Sequence, residues 1–283
     1  MIPFLHIGPL TLPTFGLMVA TAMLCAYFVL RADLRRRGID AEAETLVAVP
    51  SIAGMIGAKL YHVLESPRDF FANPFGELFS SYGFAWFGGL LAGIAAFVYL
   101  GRKFKIPILR LFDIASPACA LGYGIGRIGC LLSGDGDYGI PTTLPWGMSF
   151  PNGLVPTTER VHPTPIYEFF VALLITWFLW RLGAARARSA NAKTGLRGKD
   201  LPVDVRGKNA VRVEPRFTRG HPDGYIFAAY MITTGIARFL VEFIRINPRS
   251  FLGMTNAQTA SAASILLGAA LLWHLRSAKE PAL

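Results

Sequence analysis

The chain has 283 residues, of which 53% are hydrophobic and 16% are charged, and its mean hydropathy is +0.42. A soluble domain of this length is less apolar, and here the apolar residues come in long runs, which indicates a polytopic membrane protein. The net charge of +10 comes from basic residues in a few short clusters. Such clusters indicate membrane topology, and without interleaved aromatic residues on a soluble domain they do not predict nucleic-acid binding.

Seven apolar segments predict an all-α fold with about seven transmembrane helices, in a single integral membrane domain over residues 1–283. They are about Thr14–Leu30, Glu44–Leu64, Gly83–Leu100, Pro107–Gly126, Pro163–Trp180, Gly224–Phe243 and Asn256–Trp273. Between the second and third, Glu65–Tyr82 is aromatic and contains proline, which is typical of a segment that lies along the membrane interface.

The basic residues are distributed unequally between the two sides of the membrane. The loops after spans one, three and five, the first turn of span four with Arg110, and the C-terminal tail hold 21 of the 28 Lys and Arg residues. The positive-inside rule therefore predicts an outer N-terminus and a cytoplasmic C-terminus. On this topology residues 129–162 form a small extracytoplasmic cap. Residues 181–223, rich in Ala, Arg, Lys and Gly, form a flexible basic cytoplasmic loop, whose charge could also rest on anionic lipid.

The segment GYGIGRIGCLLSGDGDYG, residues 122–139, carries an arginine and two aspartates in this apolar chain. A charge at membrane depth costs about 2.5–3.5 kcal/mol on insertion scales, so Arg127 needs a partner or a function. Asp135 and Asp137 follow in a glycine-rich turn, where one of them is expected to be catalytic or to pair with arginine. The turn lacks the frame of a calcium loop and the three cysteines lack metal-ligand spacing, so no metal is expected.

A second group of charges lies in GIARFLVEFIRINPR, at the end of the sixth span. Arg238 and Glu242 are four residues apart and Arg245 follows three residues later, which predicts one polar stripe on an apolar helix. The stripe could be an ion pair that neutralises itself at the outer interface. Two arginines exceed one glutamate, however, and the surplus positive charge suits a phosphate, which arginine binds in a bidentate manner.

A third group lies in HPTPIYE, residues 162–168, where the cap returns to the membrane. His162 could be a general base, because its ordinary pKa lies near neutrality, or it could be a structural hydrogen-bond donor. Glu168 lies one turn inside the membrane and needs a cationic partner, which Arg127 or Arg238 could supply.

Taken together, these motifs resemble the prolipoprotein diacylglyceryl transferase family of the bacterial cytoplasmic (inner) membrane. The matching blocks are GRIG, SGD, YG and LPWGMSFP, then HPTPIYE and GIARFLVEFIR, with weaker matches in GAKLYHVL and GGLLAG. They occur in order on a seven-span frame. The resemblance implies transfer of the diacylglyceryl group of phosphatidylglycerol to a lipobox cysteine in a prolipoprotein signal peptide, with release of glycerol phosphate and without a cofactor.

The resemblance also implies roles for individual residues. Arg127 and Arg238 would bind the lipid phosphate, and Asp135 stands where the family has a glutamate in its signature loop. Glu242 and Arg245 match the family's helix charges, and Gly139 matches the glycine that closes the loop. These three residues and Glu168 are expected to help bind phosphatidylglycerol.

The chain departs from the family pattern at several positions. It has Phe87 for a histidine, Phe15 and Thr234 for tyrosines and Cys130 for an asparagine, and its loop is one residue longer, with Asp137 as the extra acid. A divergent transferase would then use Asp135, Asp137 or His162 as its general base. The alternatives are a transferase with another acceptor and a non-catalytic membrane protein that binds or passes an anionic phospholipid. No repeat relates the two halves, which disfavours a transporter.

Overall fold

A computed structural model of the protein describes residues 1–80, 83–194 and 221–277. Its elements in chain order are β1 Phe4–Ile7, β2 Leu10–Pro13, α1 Thr14–Arg37, α2 Ala43–Glu65, α3 Pro67–Ala72, α4 Pro74–Phe79, α5 Trp86–Lys103, α6 Ile108–Ser133, β3 Met148–Phe150, β4 Thr157–Val161, α7 Thr164–Thr194, α8 Tyr225–Val241, a 3₁₀ turn Phe251–Gly253 and α9 Asn256–Ser277. Each of the seven predicted spans is a helix.

The polytopic all-α prediction is confirmed. Within the described residues, α1, α2, α6, α9 and the Thr164–Ala184 part of α7 are long and apolar enough to cross a membrane, and α8 is a shorter apolar helix. The two short helices α3 and α4 occupy the segment predicted to lie along the interface, of which residues 81 and 82 lie outside the described residues.

The described chain divides into two compact units. One contains Met1–Gly38 and the described residues from Phe112 onward, and the other contains Ile39–Leu111. In the second unit α2 packs closely against α5, because Gly57 faces Gly88 and a Cβ atom on Gly57 would lie 2.6 Å from the Gly88 carbonyl oxygen. Small residues allow such close helix packing in membranes. The single domain over residues 1–283 stays a prediction.

Buried side chains of α6, α7 and α8 form the apolar core of the first unit: Ala120, Ile175, Leu179 and Ile226. The carboxylate of Asp113, fully buried on α6, accepts hydrogen bonds from the backbone nitrogens of Gly224 at 2.9 Å and Phe227 at 2.8 Å. It thereby satisfies free donors at the first turn of α8, as an N-cap residue does.

Arg36, held by a buried carboxylate of its own helix, links α1 to α7. Asp33 accepts hydrogen bonds from Arg36 and, at 2.8 Å, from Arg37. The Arg36 guanidinium donates to the Trp180 carbonyl at 3.0 Å and lies 3.8 Å from the centre of the Trp180 ring. Asp33 thus holds Arg36 in place within α1, and a hydrogen bond and a cation–π contact of Arg36 join the last turn of α1 to α7.

The predicted cap contains the antiparallel hairpin of β3 and β4, in which Met148 pairs with Val161 and Phe150 with Thr157. Tyr138, Phe150 and Val161 form its small buried core, and the Tyr138 and Phe150 rings stack with centres 5.2 Å apart.

Three predicted helix ends are wrong. The fourth span was predicted to end at Gly126, but α6 continues through Arg127 to Ser133, so the first residues of the predicted cap, 129–133, are helical. The flexible loop was predicted from residue 181, but α7 continues to Thr194, and residues 195–220 of that loop lie outside the described chain. The sixth span was predicted to reach Phe243, but α8 ends at Val241. The charged stripe therefore does not lie on one helix, because Arg245 follows a turn.

Candidate functional site

Six charged side chains from separate segments of the first unit meet in one place. They are Arg127 of α6, Asp137 of the following loop, Glu168 of α7, Arg238 of α8, and Glu242 and Arg245 just after α8. We refer to these six residues as the ion-pair cluster. All six were singled out in the sequence.

Glu168 lies at the centre of the ion-pair cluster, with a side chain that is 5% exposed. Its carboxylate is 3.1 Å from Arg238 Nη1, 3.4 Å from Arg127 Nε and 3.4 Å from Arg245 Nη1. The Tyr123 hydroxyl donates a hydrogen bond to the same carboxylate. The pairing expected with Arg127 or Arg238 is confirmed for both, and Arg245 adds a third partner.

Asp137 bridges two arginines of the cluster. One of its carboxylate oxygens pairs with Arg127 Nη1 and the other with Arg245 Nη2. Burial alone would raise the pKa of Asp137, but the adjacent guanidiniums of Arg245 and Arg127 outweigh it and hold that pKa below its ordinary value. Asp137 is therefore ionised and a poor proton acceptor while both pairs are made.

Glu242 is the most deeply buried acid of the cluster, with a fully buried side chain. Arg238 Nη2 lies 3.0 Å from Glu242 Oε2, and Asn247 donates a hydrogen bond to the other oxygen. The expected ion pair between residues four apart is therefore present, although the helix ends just before Glu242.

The charges of the ion-pair cluster cancel, since three guanidiniums face three carboxylates. The prediction of a surplus positive charge, which considered Arg238, Glu242 and Arg245 alone, is therefore wrong. The fold adds one more arginine and two more acids to that stripe, which the local sequence could not indicate.

Gly139 brings the signature loop against the segment after α8. Gly139 and Arg245 form an antiparallel bridge, and the Ile140 nitrogen donates to the Ile244 carbonyl at 2.8 Å. A Cβ atom on Gly139 would lie 2.5 Å from the Ile244 carbonyl oxygen, so only glycine permits this approach. Gly139 therefore positions Arg245, and a direct contact with lipid stays a prediction.

Asp135 lies beside the cluster without joining it. Its Oδ1 accepts a hydrogen bond from the Asp137 backbone nitrogen at 3.2 Å. Ligand atoms of Cys130, Asp135 and Asp137 lie within 4.8 Å of one another, but a cation there would face the two arginines already paired with Asp137, so we assign no metal. Burial raises the pKa of the Asp135 carboxyl above its ordinary value, which makes it a better proton acceptor than Asp137.

The structure places His162 in a different hydrogen-bond network. Its Nδ1 lies 3.2 Å from the Tyr167 hydroxyl, which also accepts a hydrogen bond from Trp146 Nε1 at 2.8 Å. The His162 carbonyl accepts a hydrogen bond from the Gly139 nitrogen at 2.9 Å. These contacts describe a residue that supports the cap, and its catalytic role stays a prediction.

Three residues of the site were missed in the sequence: Tyr123, Thr164 and Asn247. Tyr123 precedes Arg127 by four residues, so helical periodicity places both on one face of α6 and could have indicated it. Thr164 donates from its hydroxyl to the Asp137 carbonyl at 2.5 Å, and Asn247 contacts Glu242. These two contacts depend on the tertiary fold, and no local signal indicates them.

The four departures from the family pattern have separate surroundings. Cys130 Sγ lies 3.7 Å from Arg127 Nη1, and Phe15 packs beside Gly129. The Thr234 hydroxyl donates to the Tyr230 carbonyl of its own helix at 2.6 Å. Phe87, in the second unit, is exposed and makes an edge contact with the Trp86 ring.

Comparison with known proteins agrees with the motifs. The sequence model of the family described as prolipoprotein diacylglyceryl transferase matches residues 3–196 and 210–274. Proteins named phosphatidylglycerol–prolipoprotein diacylglyceryl transferase are similar to the chain. That of Clostridium tetani is 28% identical over 260 residues, covering 90% of this chain and 89% of the relative. That of Geobacter sulfurreducens is 31% identical over 258 residues, covering 89% and 84%. That of Thermus thermophilus is 36% identical over 192 residues, covering 60% and 69%. The chain belongs to the prolipoprotein diacylglyceryl transferase family.

Proposed function

We propose that this protein transfers the diacylglyceryl group of phosphatidylglycerol to the lipobox cysteine thiol of a prolipoprotein. The observation that carries the proposal is the meeting of Arg127, Arg238 and Arg245 in one partly buried cluster. The relatives carry the name of this activity, and the matched family model supports the same assignment.

The arginines suit the phosphate of the lipid. Planar guanidiniums bind phosphate oxygens in pairs and keep their charge in a partly buried site. Glu168 and Glu242 hold Arg238 and Arg245 in fixed orientations, so little reorganisation accompanies the build-up of charge on the phosphate.

The reaction is a displacement at the glycerol carbon that bears the phosphate. The thiol of the acceptor cysteine loses its proton, and its sulfur forms a thioether bond to that carbon. The carbon–oxygen bond to the phosphate breaks, and glycerol phosphate leaves with the electron pair. The arginines stabilise the negative charge on the leaving phosphate.

Asp135 is the base that the surroundings favour among Asp135, Asp137 and His162. In the protein without bound lipid Asp137 is paired with two guanidiniums, and His162 contacts Tyr167. The Asp135 carboxylate pairs with no arginine in the described part of the chain, and burial raises its pKa. A raised pKa increases the proton affinity of a general base.

The proposed orientation follows the distribution of basic residues. The loop after α6 and the hairpin of β3 and β4 would face the outer side of the bacterial cytoplasmic membrane, where prolipoproteins arrive. The N-terminus would lie outside and the C-terminus in the cytoplasm.

A direct test uses the purified full-length protein in mixed micelles with phosphatidylglycerol and a lipobox peptide. We expect a thioether-linked diacylglyceryl peptide and stoichiometric glycerol phosphate, both measured by mass spectrometry. A folded protein that binds phosphatidylglycerol but forms neither product would contradict transfer and support the alternative of a lipid-binding family member. A protein that consumes the lipid but leaves the peptide unmodified would indicate another acceptor.

Replacing Asp135 with asparagine is expected to lower kcat by about a hundredfold, because the thiol then loses its general base. The base acts only when ionised, so wild-type activity should fall as the pH drops through the Asp135 pKa, which lies above the ordinary value for aspartate. The pH profiles of the wild type, Asp135→Asn and Asp135→Glu check this, with the acid limb retained in Asp135→Glu. Full activity of Asp135→Asn at all pH values would exclude this residue as the base.

A further inference from the structure

The ion-pair cluster already contains an internal anion in the place that suits a phosphate. With three carboxylates on three guanidiniums, the cluster is neutral, and adding a phosphate without removing a carboxylate would bring like charges together in a partly buried site. One carboxylate must therefore dissociate from its arginines before the lipid phosphate can bind to them.

Exposure and bonding identify which acid can leave. The Asp137 side chain is 29% exposed, whereas those of Glu168 and Glu242 are 5% and 0% exposed. The two glutamates also accept hydrogen bonds from neutral groups, Tyr123 and Asn247 respectively. The ion-paired hydrogen bonds to the Asp137 carboxylate come from the two arginines that a phosphate would use, and the Cys130 thiol is a further, weaker hydrogen-bond partner.

The carboxylate of Asp137 also has the geometry of a phosphate substitute. Its two oxygens are divided between Arg127 Nη1 and Arg245 Nη2, as two oxygens of one phosphate would be. The backbone of Asp137 is fixed, because its carbonyl accepts a hydrogen bond from Thr164 and its nitrogen donates one to Asp135. Release of the arginines therefore needs only a rotation of the Asp137 side chain.

We propose that Asp137 is a built-in competitor, whose carboxylate occupies the phosphate position between Arg127 and Arg245 until the lipid phosphate displaces it. This inference rests on the proposed function, because it deepens the role of the same arginines. Asp137 keeps two buried arginines paired in the lipid-free protein and lowers the apparent affinity for lipid, since the open state is only part of the population.

The test measures binding without turnover, using the full-length Asp137→Asn variant in detergent. Phosphatidylglycerol and inorganic phosphate are titrated separately, and ligand-dependent thermal stabilisation gives the Kd. We expect both ligands to bind about tenfold more tightly than to the wild type, because the competing carboxylate is gone. The matched control is Glu159→Gln, which removes an exposed acid of β4 and should leave both Kd values unchanged.

The outcomes separate this proposal from the function. Unchanged or weaker binding of both ligands by a folded Asp137→Asn protein would overturn the competitor role and leave a purely structural ion pair. Tighter binding of phosphate without binding of phosphatidylglycerol would keep the competitor role and reject the lipid function. If Asp137→Asn does not fold, as judged by its unliganded melting curve, Asp137→Ser carries the same expectation and the same contrary result.

Discussion

Replacing Arg127 with alanine is expected to lower kcat/KM for diacylglyceryl transfer by about a thousandfold, because one preorganised donor to the leaving phosphate is lost. Arg127 contacts both Asp137 and Glu168, so it is the cluster member that α6 contributes to the proposed phosphate position. Lysine at this position keeps the charge but loses the planar pair of donors, and we expect a loss of about a hundredfold. Transfer rates measured at a saturating concentration of the lipobox peptide and varied concentrations of phosphatidylglycerol check the prediction.

The matched control for Arg127 is Arg31→Ala. Arg31 is an exposed arginine of α1 whose guanidinium donates to the Tyr27 hydroxyl at 2.8 Å. Its removal should leave the transfer rate unchanged within the error of the assay. Equal losses for both variants, or near-wild-type activity of Arg127→Ala, would contradict the proposed role of the ion-pair cluster.

The positions of the helices could be predicted from the sequence, but their ends could not. Hydropathy reports which residues can enter a membrane, whereas a helix ends where backbone hydrogen bonds find other partners. Glycines 122, 124 and 126 do not interrupt α6, and the residues after Trp180, rich in alanine and arginine, favour the continued helix α7. At α8 the bridge between Gly139 and Arg245 gives the chain an alternative to helix, which only the tertiary structure supplies.

The sequence predicts which charged residues form the site more completely than it predicts which of them pair with one another. A charge in an apolar segment is costly, and this singled out Arg127, Glu168 and Arg238 and paired them correctly. The cost of a buried charge was considered within one segment at a time. It therefore did not indicate that Asp137 pairs with both Arg127 and Arg245. Pairs separated by about a hundred residues depend on how α6, α7 and α8 pack, and this packing is not encoded in local spacing.

Replacing Glu168 with glutamine is expected to destabilise the folded protein by about 3–5 kcal/mol and to abolish measurable transfer. Three guanidiniums share the buried Glu168 carboxylate, and glutamine would leave them with two carboxylates and mutual repulsion. The melting temperature in detergent and the transfer rate check the two effects separately. Tyr123→Phe removes one hydrogen bond to the Glu168 carboxylate and no charge, so it should cost less, about 1.5–3 kcal/mol.

A compensating change distinguishes charge balance from a simple loss of contacts at Glu168. The double variant Glu168→Gln/Arg245→Gln again has equal numbers of arginines and acids in the cluster, so its melting temperature should recover part of the loss. Its transfer activity should remain low, because Arg245 pairs with the Asp137 carboxylate at the proposed phosphate position. If the destabilisations of the two single variants simply add in the double variant, Glu168 acts through packing. Charge neutrality of the cluster would then not be what stabilises the packing of α6, α7 and α8.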